Sequence, residues 1–98
     1  MNRFAYRVYY EYNGPSKSEP FRSPKDQHEI SEALRNFPNE LPHLLSDQDA
    51  TVSDEPTKKD ANSIIVFVAT SLSEAATDEA VKRCLNGLDL FAKKLKTV

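Results

Sequence analysis

The run Ile64-Ile65-Val66-Phe67-Val68-Ala69 is apolar at every position, so both sides of a two-residue period are greasy. A half-exposed strand alternates. An unbroken run this short and rich in β-branched residues predicts a strand over 63–69, in the middle of a sheet and wanting cover on both faces. Residues 3–12 do alternate: Phe4, Tyr6, Val8, Tyr10 and Tyr12 fall on one side, and Arg3, Ala5, Arg7, Tyr9 and Glu11 on the other. That pattern predicts a second strand with the first set turned to the core. Asn13-Gly14-Pro15 stops it, and the polar residues that follow predict a mobile loop over 13–22, within which Phe21 is the residue expected to pin the loop to the body.

The helical period occurs twice. Ser23-Pro24-Lys25-Asp26 combines a serine cap, a proline at the first helical position and an acid in the first turn, and so predicts a helix start. The stripe Ile30, Ala33, Leu34 and Phe37 carries this helix over 24–36, and Pro38 predicts its end. Leu41, Leu44 and Leu45 then have the spacing of a separate short turn. After the central strand, Ser71 with Glu74 forms a capping box, with Ser73 as an alternative cap. The stripe Val81, Cys84, Leu85, Leu88, Phe91, Ala92 and Leu95 predicts a helix over 72–95, with acids at its start and lysines at its end, the order that complements the helix dipole. Ala50-Thr51-Val52, set among acids, predicts a short edge strand over 49–53, followed by a mobile connection over 54–61.

Together these elements predict one α+β domain over 1–98, a small three-stranded sheet with two main helices in the order β-α-turn-β-β-α. Two helices cover one sheet face. One side of the central strand, either Ile64/Val66/Val68 or Ile65/Phe67/Ala69, is then left on the second face beside Ala5 and Tyr9. An uncovered apolar surface of that kind marks an interface.

Charge sharpens this expectation. With 15 acidic and 13 basic residues the chain is near balance, so nothing in bulk pulls it toward nucleic acid or an anionic membrane, while a local basic patch remains allowed. The balance is uneven: residues 1–25 hold five basic residues against two acids, and residues 26–60 hold nine acids against three basic residues. No 18-residue apolar run and no signal-peptide core occur, so the expected setting is a reducing cytoplasm, with a virus-encoded protein working there equally allowed, and no membrane.

Candidate chemistry is sparse. The single Cys84 excludes an internal disulfide and a zinc thiolate cluster, and its place in an apolar stripe reads as core packing. His28 and His43 lack metal-ligand spacing, and Asp47, Asp49 and Asp54 lack the glycine and closing glutamate of a calcium loop. There is no phosphate-cradling glycine loop and no nucleophile elbow. The expectation is therefore a protein without catalytic residues, metal or cofactor.

What remains is a surface. Arg3, Ala5, Arg7 and Tyr9 share one side of the first strand, and with Ile65 and Phe67 they form a candidate partner-binding face, apolar at its centre and flanked by arginines that could set register on an acidic partner. The reading is a small non-enzymatic adaptor, inhibitor or regulatory subunit that docks a protein or a second copy of itself. The alternative is a single-stranded nucleic-acid binder on the same face, with Arg3, Arg7 and Tyr9 extended by Lys17, Arg22 and Lys25. Against that alternative, the chain has neither an aromatic-rich RNP run nor a Gly-x-x-Gly loop.

Overall fold

A computed structural model describes residues 1–12, 25–56 and 62–95. The elements are β1 (Asn2–Tyr9), α1 (Gln27–Leu44), β2 (Thr51–Pro56), β3 (Ser63–Thr70), α2 (Glu74–Leu88) and β4 (Phe91–Leu95). The sheet has four strands, not the three expected, in the order β2-β3-β1-β4 with every neighbour antiparallel. The uniformly apolar β3 lies in the interior of the sheet beside β1, as its pattern requires. This β-α-β-β-α-β order is the split, ferredoxin-like topology, a scaffold that hosts many unrelated functions.

The core lies between the sheet and the two helices. Tyr6, Val8, Val66 and Val68 from the sheet pack with Ile30, Ala33, Leu34, Phe37 and Leu41 from α1 and with Ala80, Val81 and Cys84 from α2. The residue pattern leaves open which side of β3 faces inward; Ile64, Val66 and Val68 do, so Ile65, Phe67 and Ala69 point the other way.

Helix α1 departs from expectation at both ends. Its cap is Asp26, whose carboxylate accepts the Glu29 N–H at 2.8 Å, and not Ser23, which with Pro24 lies outside the described residues. Pro38 does not end it. The helix runs through Pro38 and Pro42 to Leu44, and the separate turn expected at 41–45 is its last turn and cap. Burial explains the override: Phe37 and Leu41 are both 0% exposed, on the stripe that α1 turns to the core, and their packing outweighs the missing proline donors. Leu44, on the outer side, is exposed.

The start of α2 is fixed by a division of labour among serines. Ser73 is the cap, accepting from the Ala76 N–H at 3.2 Å. Ser71, the expected cap, instead donates its hydroxyl and its N–H to Asp47 Oδ2 at 3.0 and 2.8 Å, and the fully buried Thr70 hydroxyl donates to the same oxygen at 2.7 Å. The Ser71 N–H, the Thr70 hydroxyl and the Asp49 N–H hold the Asp47 carboxyl down to about 2. The folded value is thus depressed below the ordinary 3.8, so its contribution is present above about pH 4 and lost as pH falls toward 2. Asp47→Asn is expected to lower the urea midpoint at pH 6–7, with the gap to the parent closing over that acid window. A gap that stays constant down to pH 2 would contradict this assignment.

The largest correction is at the end of α2. The expected helix over 72–95 stops at Leu88 because Asp89 turns left-handed, at φ 58° and ψ 45°. The Asp89 and Leu90 N–H groups both close on Leu85 O, the latter at 2.9 Å, and Leu90 is buried against the core. The chain then returns as β4 along the otherwise open edge of β1, pairing Phe91–Leu95 with Tyr9–Ala5. Lys94 pins it to α2: its ammonium donates to Glu74 and to Asp78 (3.1 Å) and lies 5.0 Å from the Phe4 ring centroid. Tyr6 donates to the same Asp78 carboxylate at 2.6 Å; burial first, then this bond, pushes its phenol well above the ordinary range.

β2 covers Thr51–Pro56, later than the expected 49–53, so residues 54–56 of the expected mobile connection are strand. The rest of that connection, 57–61, lies outside the described residues, as do the loop over 13–22 and Phe21.

Candidate functional site: the outer sheet face

Both helices lie on one side of the sheet, and among the described residues no element lies over the other. Strand register sets the uncovered side out in rows. Thr51, Ala69 and Arg3 form the first; Ser53, Phe67, Ala5 and Leu95 the second; Glu55, Ile65, Arg7 and Lys93 the third; Ser63, Tyr9 and Phe91 the last. The second row is its apolar centre. Phe67 is 38% exposed, whereas its neighbour Ala5 is only 7% exposed, so a bulky ring stands beside a shallow spot across the β3–β1 boundary.

The last two rows carry a cation–aromatic cluster. Tyr9 stacks on Phe91 with ring centroids 6.0 Å apart and an interplanar angle of 27°, and the Arg7 guanidinium carbon lies 5.4 Å from the Tyr9 centroid. Over the four rows together three cations, Arg3 in the first and Arg7 and Lys93 in the third, share the face with one carboxylate, Glu55, which sits on the β2 edge diagonally away from Arg3. The face is thus locally basic although the whole chain carries a net charge of −2.

The structure therefore places Arg3, Ala5, Arg7, Tyr9, Ile65 and Phe67 on one surface. Lys25 stands elsewhere: its N–H donates at 2.8 Å to the hydroxyl of Tyr10, a residue packed against the core, so it belongs to the helix layer and not to this face. Lys17 and Arg22 lie outside the described residues. Sequence reasoning misses Phe91, Lys93 and Leu95, because their segment also fits a helix, and it misses Glu55, which falls in the expected connection. The available signal is Asp89, a residue type able to turn left-handed and so to end the helix; Phe-Ala-Lys-Lys-Leu at 91–95 does not alternate with a strand's period.

Reactive groups stand away from any concave site on this face. Cys84 is 2% exposed and its thiol contacts Phe37 O at 3.7 Å; burial, with Glu40 adding, pushes the thiol up to about 11. Ellman's reagent at pH 8 is expected to titrate no thiol in the folded protein and one equivalent in guanidinium; rapid native labelling would show that α1 and α2 separate readily. His28 pairs with Glu32 at 3.4 Å on the exposed side of α1. Among the described residues no cluster of three or more metal-ligating side chains occurs, and no helix is long and apolar enough to cross a membrane.

No protein-family model matches the chain, and neither the curated proteins nor the solved structures contain a significant match to it.

Proposed function

We propose that the chain is a non-enzymatic protein-binding module, an adaptor, inhibitor or regulatory subunit working in the cytoplasm, and that the outer sheet face is its contact surface. The observation that carries this reading is Phe67, an aromatic ring 38% exposed in the most apolar row of that face. Affinity comes from covering that row, as at the centre of protein interfaces, and Arg3, Arg7 and Lys93 at its flanks set orientation through acidic groups on the partner. The non-enzymatic part rests on the positions of Cys84, His28 and His43, none of which lies on this face.

A second reading, single-stranded nucleic acid on the same face, is favoured by the Arg7, Tyr9 and Phe91 cluster, since rings and guanidiniums on an open sheet can stack bases and pair phosphates. The same contacts count against it. Tyr9 already has Phe91 against it and Arg7 over it, so a base must displace one of them, and three cations supply few phosphate contacts.

Two measurements separate the readings. Labelled single-stranded RNA and DNA are titrated at low and high salt, and polypeptides retained by the parent protein are compared with those retained by Phe67→Asp and by Glu32→Lys, a control on α1. The expected result is no oligonucleotide binding at low salt, together with a polypeptide kept by the parent and the control and lost by Phe67→Asp. Micromolar oligonucleotide binding that weakens steeply with salt and disappears in Arg7→Ala would move the assignment to nucleic acid.

A further inference from the structure

Building on the protein-contact reading, we infer that one occupant of the outer sheet face is a second copy of this chain, docked about a two-fold axis that runs along the strands between β3 and β1. The order β2-β3-β1-β4 places two strands on each side of that line. A dyad along it lays β2 of one copy over β4 of the other and keeps the rows in step, whereas a dyad across the strands would lay β4 on β4.

The side chains select the first arrangement. Glu55 and Lys93 occupy the two ends of a single row, on opposite edges of the sheet, both exposed. Turned about the strand-parallel dyad, each Glu55 comes over the second copy's Lys93, and the pair forms twice. Phe67 and Ala5 are direct partners astride the dyad in the next row, so each protruding ring comes over the second copy's shallow alanine. One operation thus pairs the edge charges and seats the ring, as an isologous interface requires; it also lays Arg3 over Ala69 and Arg7 over Ile65 of the second copy, so these two cations gain no carboxylate there and keep the association weak. About the cross-strand dyad Lys93 faces the second copy's β4, without Glu55, and the ring loses its alanine. Sheets packed face to face deviate by about 30° from parallel, which long side chains such as Lys and Glu tolerate.

Size sets the expected strength. Four strands at about 4.8 Å spacing and some 20 Å of length give a face near 400 Å², on the order of 800 Å² for two copies, below the standard range of stable complexes. Self-association should therefore be weak and seen only toward the top of the concentration range.

Sedimentation equilibrium up to about 1 mM tests this on five samples: the parent, Phe67→Asp, Glu55→Lys, Lys93→Glu, and an equimolar mixture of the two charge variants, with circular dichroism to confirm folding. The parent is expected to dimerise, Phe67→Asp to weaken association at least about tenfold, and each charge variant to do so alone. The mixture is expected to recover the parent's association. In a mixed dimer the lysine introduced by Glu55→Lys meets the glutamate introduced by Lys93→Glu, and the original Glu55–Lys93 pair is retained once. A dimer lost in Phe67→Asp but indifferent to both charge changes overturns the dyad and leaves the contact face standing. A dimer untouched by Phe67→Asp overturns both. A parent that stays monomeric throughout overturns self-docking alone, the contact face then being decided by the partner and oligonucleotide comparison above.

Discussion

Phe37→Ala is expected to destabilise the fold by about 3–5 kcal/mol, whereas Phe67→Ala costs about 1 kcal/mol. The two substitutions remove the same atoms from opposite sides of the sheet. Phe37 is 0% exposed and sits where α1, α2 and the sheet converge, its carbonyl receiving the Cys84 thiol from α2. Its removal leaves a cavity that two helices and a sheet cannot close without moving together. Phe67, at 38% exposed, leaves no enclosed space when it is cut back. Urea unfolding of the two variants reads the difference directly. Similar losses for both would mean that something in the chain seals the outer face, and would remove the premise for docking there.

Pro38→Ala is expected to stabilise the protein by about 1–2 kcal/mol, an unusual sign for a substitution at a half-buried position. Proline in a helix interior costs about 3 kcal/mol relative to alanine, through its missing donor and the clash of its ring with the preceding turn. Pro38 leaves Leu34 O without its usual partner four residues on, and alanine would supply the missing N–H. Part of the gain is offset by the ring's own packing and by the greater freedom alanine gives the unfolded chain, hence a gain below the full value of about 3 kcal/mol. Thermal unfolding monitored at 222 nm is the check. A lower midpoint for Pro38→Ala would show that the proline is shaped into the helix and not merely tolerated by it.

Those two sites also show what the pattern of residues can and cannot reveal. β1 and the buried stripe of α1 are legible because apolar residues repeat with a period of two in one case and near 3.6 in the other, with Ile30, Ala33, Leu34 and Phe37 where the period puts them, and β3 is legible because its short, β-branched run is unbroken. The passage of α1 through Pro38 is not legible, since the rule that proline ends helices is local, whereas the burial of Leu41 that overrides it depends on the assembled core. β4 is hidden for a different reason. Leu88, Phe91, Ala92 and Leu95 satisfy a helical period and 91–95 shows no strand alternation, so the strand is set by the vacant edge of β1 and the left-handed turn at Asp89, neither fixed by a local reading. The same gap conceals half of the candidate site. Arg3, Arg7 and Tyr9 are legible as one face because β1 alternates, whereas the unbroken run of β3 does not reveal that Ile65 and Phe67 are its outward side; Lys93 and its counterpart Glu55 become members of one row only once β2 and β4 are in register.

Hydroxyl-radical footprinting with mass-spectrometric readout across protein concentration puts the uncovered face to its most direct test, because it needs no substitution. In dilute protein Phe67 is expected to oxidise readily while Phe37 stays inert, and at several hundred micromolar, or on addition of a bound partner, Phe67 should fall toward the reactivity of Phe37. A Phe67 ring as inert as Phe37 in the dilute monomer, or one whose oxidation is unchanged when a complex has formed, would contradict the account.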